Sequence, residues 1–297
     1  MSARVATLIA HPQGRELTNA LADAAAAASG ARAVYWLAED IAADLPLPDG
    51  PDNAQIDAAI RDALNGHPID VVVQPQEGRR KRLLIADMDS TMIEQECIDE
   101  LADEAGFGAQ VAAVTERAMR GEIEFEGALR ERVAVLRGLP LATVDRVLAE
   151  RITPRSGGQE LVATMRANGA LAMLVSGGFT LFTRDIAARL GFDENRANEL
   201  VVEDDALAGT VTEPILGRDA KYAALVDACE RLGLALDQCL AVGDGANDLA
   251  MIEAAGMGVA LHAKPAVAAR ADARIDHGDL SALLYLQGYR RADFAEA

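Results

Sequence analysis

Three short apolar runs, each breaking off into carboxylates, hydroxyls or glycines, constrain this chain more than any other feature. Residues 82–86 (RLLIA) end at Asp87-Met88-Asp89-Ser90-Thr91. Residues 171–175 run into Ser176-Gly177-Gly178-Phe179, and residues 239–242 into Gly243-Asp244-Gly245-Ala246-Asn247-Asp248. Uninterrupted apolar runs of this length read as strands buried on both faces, which is how a parallel sheet covered by helices appears in sequence. Helical spacing follows at 181–190, 219–232 and 248–255, with a further strand at 258–261 and a hairpin at 200–211 turning near Ala208-Gly209. From Glu96 to about Arg151 the pattern is helical throughout. The expectation is an α/β fold: a doubly wound parallel, Rossmann-like sheet with a helical cap at about 96–155 inserted after its first strand. Ligands of such sheets bind beyond the carboxyl ends of the strands, where all three polar clusters fall.

Ahead of this lies a separate alternation. Strands are expected at 4–10, 33–37 and 69–73 and helices at 17–28 and 53–64, a small α/β sandwich without a chemical motif. The segment 74–82 (QPQEGRRKR) reads as a solvated linker, so the domains are expected at 1–79 and 80–297. The chain of 297 residues suits two domains. Its formal charge of −19 disfavours nucleic acid and anionic membrane as partners and leaves a small molecule. No signal-peptide pattern and no long apolar stretch is visible. The three cysteines (Cys97, Cys229, Cys239) lack metal or disulfide spacing, which points to buried thiols in a reducing cytoplasm. The oligomeric state stays open, a homodimer among the options.

The clusters permit specific chemistry and also blander roles. Asp87 and Asp89, two residues apart past a strand, could hold a hard cation or divide nucleophilic and acid–base work. They could equally form a helix-capping turn. A calcium-binding EF-hand is excluded, because Met92 stands where its glycine belongs and a strand precedes the loop. The Ser176-Gly177-Gly178 turn offers a hydroxyl and bare N–H groups to a phosphate, although glycine-rich turns are common without ligands. The glycines around Asp244 let the backbone approach a metal or phosphate. Lys221 could reach an anion as a point charge, or be simply solvated. The four histidines are scattered and carry no role.

Taken in order, DxDST, SGG, a later lysine and GDGxND resemble the haloacid dehalogenase-like phosphohydrolases. The likeness extends to Glu96, Ile98, Asp99 and Glu100, to Met119-Arg120-Gly121, Phe125-Glu126 and Leu129-Arg130-Glu131-Arg132 in the cap, and covers about residues 80–285. It implies Mg²⁺-dependent hydrolysis of O-phospho-L-serine to L-serine and phosphate. Asp87 would be the nucleophile that forms an aspartyl phosphate, and Asp89 the general acid and base. The metal would be held by Asp87, the Asp89 carbonyl and Asp244, with Asp248 supporting from behind. Ser176, Gly177 and Lys221 would bind the phosphoryl oxygens, and Asn247 the substrate. Glu96 and Arg132 would take the ammonium and carboxylate of the amino acid, a pairing a zwitterion demands. Phe125 would wall the site or serve as a core aromatic. Residues 1–79 resemble at most a degenerate ACT-like domain. Two alternatives stand beside this: a related phosphatase or phosphotransferase for another small phosphorylated amino acid, and a catalytically silent amino-acid sensor.

Overall fold

The computed structural model describes residues 3–296 apart from Gly121, which belongs to one of the cap segments quoted above. The N-terminal part runs β1 (Arg4–Ala10), α1 (Asn19–Ser29), β2 (Tyr35–Ala38), β3 (Ala42–Leu47), α2 (Asn53–Ala63) and β4 (Ile69–Pro75). Its strands form an antiparallel sheet in the order β2-β3-β1-β4. Successive side chains of β1 point to opposite faces. Ala6, Leu8 and Ala10 pack under the two helices against Ala22, Ala25, Ile56 and Ile60. Thr18 and Asp52 cap those helices, accepting from Leu21 and Gln55 N–H, each worth about 1 kcal/mol. Ile9, Ala42 and Val72, on the opposite face, share one core with Leu283 and Tyr285 from the rest of the chain. The small sheet is therefore covered on both sides.

Central strand β3 escapes a reading from pattern because Asp44 and Pro46 interrupt it. Pro46 is tolerated because β2 pairs with β3 only as far as Asp44. The segment read as a solvated linker is corrected by the structure: Arg79 and Lys81 within it are buried. The Arg79 guanidinium lies 2.6 Å from Asp44 Oδ2, donates to Thr7 Oγ1 at 3.1 Å and reaches the Tyr285 and Leu286 carbonyls at 2.9 and 2.8 Å. A planar fork with five donors can bind a carboxylate and two carbonyls together, so a basic run here clamps rather than dangles. Lys81 Nζ donates to the Asp237 carbonyl at 2.7 Å.

A second sheet begins with β5 (Leu83–Ala86) and is then interrupted by a cap of α3 (Cys97–Glu104), α4 (Gly108–Met119), α5 (Phe125–Val135) and α6 (Leu141–Glu150). It resumes with α7 (Gly158–Ala167), β6 (Leu171–Phe179), α8 (Thr180–Leu190), β7 (Glu194–Asn198), and a hairpin of β8 (Leu200–Glu203) and β9 (Ala206–Val211). It continues with α9 (Arg218–Leu232), β10 (Cys239–Gly243), α10 (Leu249–Ala254), β11 (Met257–Leu261), α11 (Pro265–Ala268), β12 (Ala273–Ile275) and α12 (Ala282–Leu286). Six parallel strands lie in the order β12-β11-β10-β5-β6-β7. The chain winds outward from β5 through β6 and β7, then returns to β10 on the other side. That reversal opens a crevice at the carboxyl ends of β5 and β10.

Two expectations shift in detail. The hairpin turns at Asp204-Asp205, not at Ala208-Gly209. Both aspartates have positive φ (48° and 59°), as a tight two-residue hairpin requires. Gly209 instead lets β9 press on the cap, where an added Cβ would lie 2.8 Å from Arg137 Cβ. The Ser-Gly-Gly segment is the irregular end of β6, whose pairing with β7 shifts register between Val175 and Phe179, rather than a turn into a helix. The edge strand β7 is polar and half-exposed, so no apolar run announced it.

Candidate active site

Asp87 follows β5, Asp244 follows β10 and Ser176 sits near the end of β6, so three neighbouring strands deliver the three clusters to one place. A cavity of about 440 Å³ opens there under the cap. From the core it is lined by Asp87, Asp89, Ser176, Gly177, Asp244 and Asn247, and from the cap by Glu96, Phe125 and Arg132. Lys221 and Asp248 lie behind that wall, fully buried. Every candidate site residue assigned a role from the sequence is thus in or directly behind one cavity.

Lys221 Nζ contacts Asp248 Oδ1 at 2.6 Å as well as Asp87. Asp248 Oδ2 accepts the Gly245 N–H at 3.0 Å, so both its oxygens are engaged. Gly243 is required for this approach, since a Cβ there would fall 2.4 Å from Asp248 Cγ. Burial, then the neighbouring Asp248, push the Asp87 carboxyl well above its usual range against the pull of Lys221. Burial and Asp248 likewise raise Asp244, offset by Lys264 and Lys221. Burial alone would lower Lys221, but the Asp87 and Asp248 carboxylates outweigh it and hold the ammonium charged. Asp87, Asp244 and Asp248 each present a carboxylate oxygen within 4.8 Å of the others. Lys221 serves only two of these carboxylates, and the set fits a hard, oxygen-seeking divalent cation.

Asp89 ties core to cap. Its Oδ1 accepts the Cys97 N–H at 2.8 Å, from the first turn of α3, and its Oδ2 the Ser176 hydroxyl at 3.0 Å. Gly178 donates to Ser176 Oγ at 2.8 Å, and a Cβ on Gly178 would meet Asp89 Oδ2 at 2.9 Å. The carboxylate is oriented by fixed donors while still facing the cavity.

Glu96 is solvent-exposed where it opens onto the cavity, beside the Asp89 carboxylate. Burial, then the Asp89 charge, push its carboxyl up to about 7, while Ser90 Oγ donates to it at 2.9 Å. Across the same space, burial lowers the Arg132 guanidinium, offset by Asp99 and Glu96. Arg132 Nε is buried with no hydrogen-bond partner. Phe125 lies over Gly177, where an added Cβ would stand 3.3 Å from its ring. Thr91, buried with its hydroxyl 3.4 Å from Asp244 Oδ1, was given no role from the sequence, and two lining groups were not singled out, Arg218 and Lys264. A signal for the last existed. The chain has only three lysines (Lys81, Lys221 and Lys264), against 25 arginines, so a lysine here is a marked choice.

Residues 84–253 match the haloacid dehalogenase-like hydrolases, and the chain belongs to that family. A phosphoserine phosphatase of Streptococcus thermophilus is 47% identical over 200 residues, 67% of this chain and 93% of that protein. The phosphoserine phosphatase SerB2 of Mycobacterium tuberculosis is 43% identical over 219 residues, 74% of this chain. This chain spans only 53% of the length of that mycobacterial relative. The unliganded structure of a probable phosphoserine phosphatase from Vibrio cholerae superposes with a TM-score of 0.80 at 31% identity, over 98% of this chain and 88% of the other. Within the hydrolase family, the chain falls among the phosphoserine phosphatases. Among the described residues no helix is long and apolar enough to cross a membrane.

Proposed function

We propose that this protein hydrolyses O-phospho-L-serine to L-serine and phosphate, with Mg²⁺ as its cofactor and an aspartyl phosphate as its intermediate. The observation that carries the substrate assignment is that Arg132 and Glu96 line the same cavity as Asp87, the guanidinium keeping at Nε a buried donor without a partner. A buried donor without a partner is costly and rare in folded proteins. A guanidinium that a carboxylate can complete, set opposite a carboxylate that an ammonium can complete, is a receptor for an amino acid.

Asp87 attacks phosphorus and Asp89 protonates the departing serine oxygen, then takes the proton of the hydrolytic water. Cys97 N–H holds Asp89 in place for both tasks, and the Ser176 hydroxyl holds it in the free site until the phosphate takes over that one O–H. Asp87, the Asp89 carbonyl and Asp244 are the residues to hold Mg²⁺, which when bound neutralises charge between nucleophile and phosphate. Asp248, saturated by Lys221 and Gly245, orients the Asp244 loop. Lys221, Ser176 and the Gly177 backbone supply charge and donors to the transferring oxygens. Asn247 contacts the substrate, and Phe125 shields the site from water.

The first domain is read as ACT-like on its βαββαβ order. Three free, buried cysteines support a cytoplasmic location. The decisive experiment measures phosphate release from a panel of phosphorylated amino acids and sugars, with Mg²⁺ and with a chelator. Phosphoserine should lead the panel and require the metal. Preference for another phosphoamino acid would select the related-enzyme alternative, and no release from any compound would select the silent sensor.

A further inference from the structure

The small domain touches the rest of the chain through more than apolar packing. Asp70, on β4, is 2% exposed, and its carboxylate accepts the N–H groups of Asp276, His277 and Gly278 at 2.8, 3.1 and 2.7 Å. Three backbone donors on one carboxylate are charge-assisted bonds and fix the loop that leaves β12. At the far end of that loop, Asp279 Oδ2 accepts the Ser156 hydroxyl at 2.6 Å, and Leu280 N–H donates to the Ser156 carbonyl at 3.1 Å.

Ser156 stands where the chain returns from the cap to the core. Pro154 bridges to Ile93 on the outgoing segment, and Arg155 N–H donates to the Met92 carbonyl at 2.9 Å. The Arg155 guanidinium also reaches the Ser90 carbonyl at 3.0 Å, inside the nucleophile loop. The loop lies hard against this return segment: a Cβ on Gly157, at φ +78°, would fall 2.3 Å from Ser281 N. A relay of hydrogen bonds thus runs from the small domain, through the 276–280 loop, to the two chain crossings on which the cap is carried. Neither Asp70 nor Ser156 lines the cavity, and the proposed reaction uses neither.

We propose that Asp70 is a positioning residue for the cap: by fixing the 276–281 loop it sets the hinge at 154–157, and through the hinge the seat of Glu96 and Arg132 over Asp87. The first domain is then a brace for substrate selection. The proposal rests on the reading that the cap grips the amino acid. Catalytic geometry is sensitive to such a brace, since a displacement of about 1 Å in bound substrate can cost on the order of 100-fold in rate.

The test uses the full chain with Asp70→Asn, which turns an acceptor into an amide facing three donors, and Ser156→Ala, which cuts the second link with the small domain left in place. Two readouts are taken: kcat and KM for O-phospho-L-serine and for p-nitrophenyl phosphate, and amide hydrogen exchange over 90–96 and 152–158. Both variants should lose on the order of 10- to 100-fold in kcat/KM for phosphoserine, chiefly through KM. Aryl phosphate, which has no groups for Glu96 or Arg132, should change less than about threefold, and exchange in both hinge segments should quicken. Should Asp70→Asn fail to fold, Ser156→Ala decides alone. Equal losses on both substrates, or unchanged selectivity with unchanged exchange, overturns the proposal. A parent inactive on phosphoserine counts against the function reading, while hydrogen exchange still decides whether Asp70 governs the hinge.

Discussion

Lys221 Nζ lies 2.5 Å from Asp87 Oδ1, the lysine buried behind the cavity wall and the aspartate forming part of that wall. One ammonium therefore holds two carboxylates, Asp87 and Asp248, in a place where water cannot. Lys221→Met should remove that charge while keeping the volume, leaving both acids buried without it. Breaking a buried pair in this way costs about 3–5 kcal/mol. Urea denaturation should show a loss of this order near pH 8 and a smaller one near pH 5, where Asp87 takes up a proton in place of the ammonium. A loss that did not vary with pH would separate Lys221 from Asp87.

Asp87→Asn should abolish phosphate release, by at least about a thousandfold, with the fold intact. The amide is nearly isosteric but carries neither the charge that attacks phosphorus nor the metal-binding oxygen. Phosphate assays paired with a thermal melt check this. Activity within tenfold of the parent in a folded variant would end the nucleophile assignment.

Asp89→Asn should slow turnover of phosphoserine on the order of 100- to 10,000-fold, as loss of a general acid does. An aryl phosphate has a leaving group that needs little protonation, so its loss should be smaller where phosphoryl transfer limits the rate. Equal losses under that condition would mean that Asp89 donates no proton.

Arg132→Ala should leave the substrate carboxylate desolvated and unpaired, at about 2–5 kcal/mol or roughly 30- to several-thousand-fold in kcat/KM. Phosphoethanolamine, without that carboxylate, should be a poor substrate of the parent and nearly indifferent to the change. Glu96→Gln should behave reciprocally, harming phosphoserine more than phospholactate. Equal effects of Arg132→Ala on phosphoserine and phosphoethanolamine would make the arginine a structural residue.

Glu96 titrates at about 7 in the free site, raised first by burial and then by Asp89. Below that pH it is neutral and has no charge for an ammonium; above it the pairing is available. KM for phosphoserine should therefore fall as pH rises through about 7. Phospholactate, sharing the phosphate but lacking the ammonium, serves as the control and should show no such fall. Parallel profiles for the two would remove Glu96 from ammonium recognition.

The parallel sheet and its polar strand ends were legible because burial on both faces leaves an unbroken apolar run that stops where chemistry starts. The convergence of the candidate residues was legible for a related reason: strand ends have few structural duties that would demand Asp and Gly together. Features that depend on distant partners were not. Arg79 looks like any residue of a basic linker until Asp44 and the carbonyls of α12 are beside it. Asp70 reads as one polar residue in a short strand, and its three donors lie more than 200 residues away. The strands β3 and β7 escaped because a proline and a polar composition suit an inner strand with short pairing and an exposed edge, neither of which local pattern reveals.

The scarcity of lysine has a practical side. Lys221 is inaccessible and charged, and Lys81 spends its ammonium on the Asp237 carbonyl. Lys264, which is exposed and lines the cavity, is thus the one lysine side chain in the open. An acylating reagent therefore meets side-chain amine chemistry concentrated at the cavity that holds Asp87. A single label there would act as a reporter of occupancy, readable by mass alone.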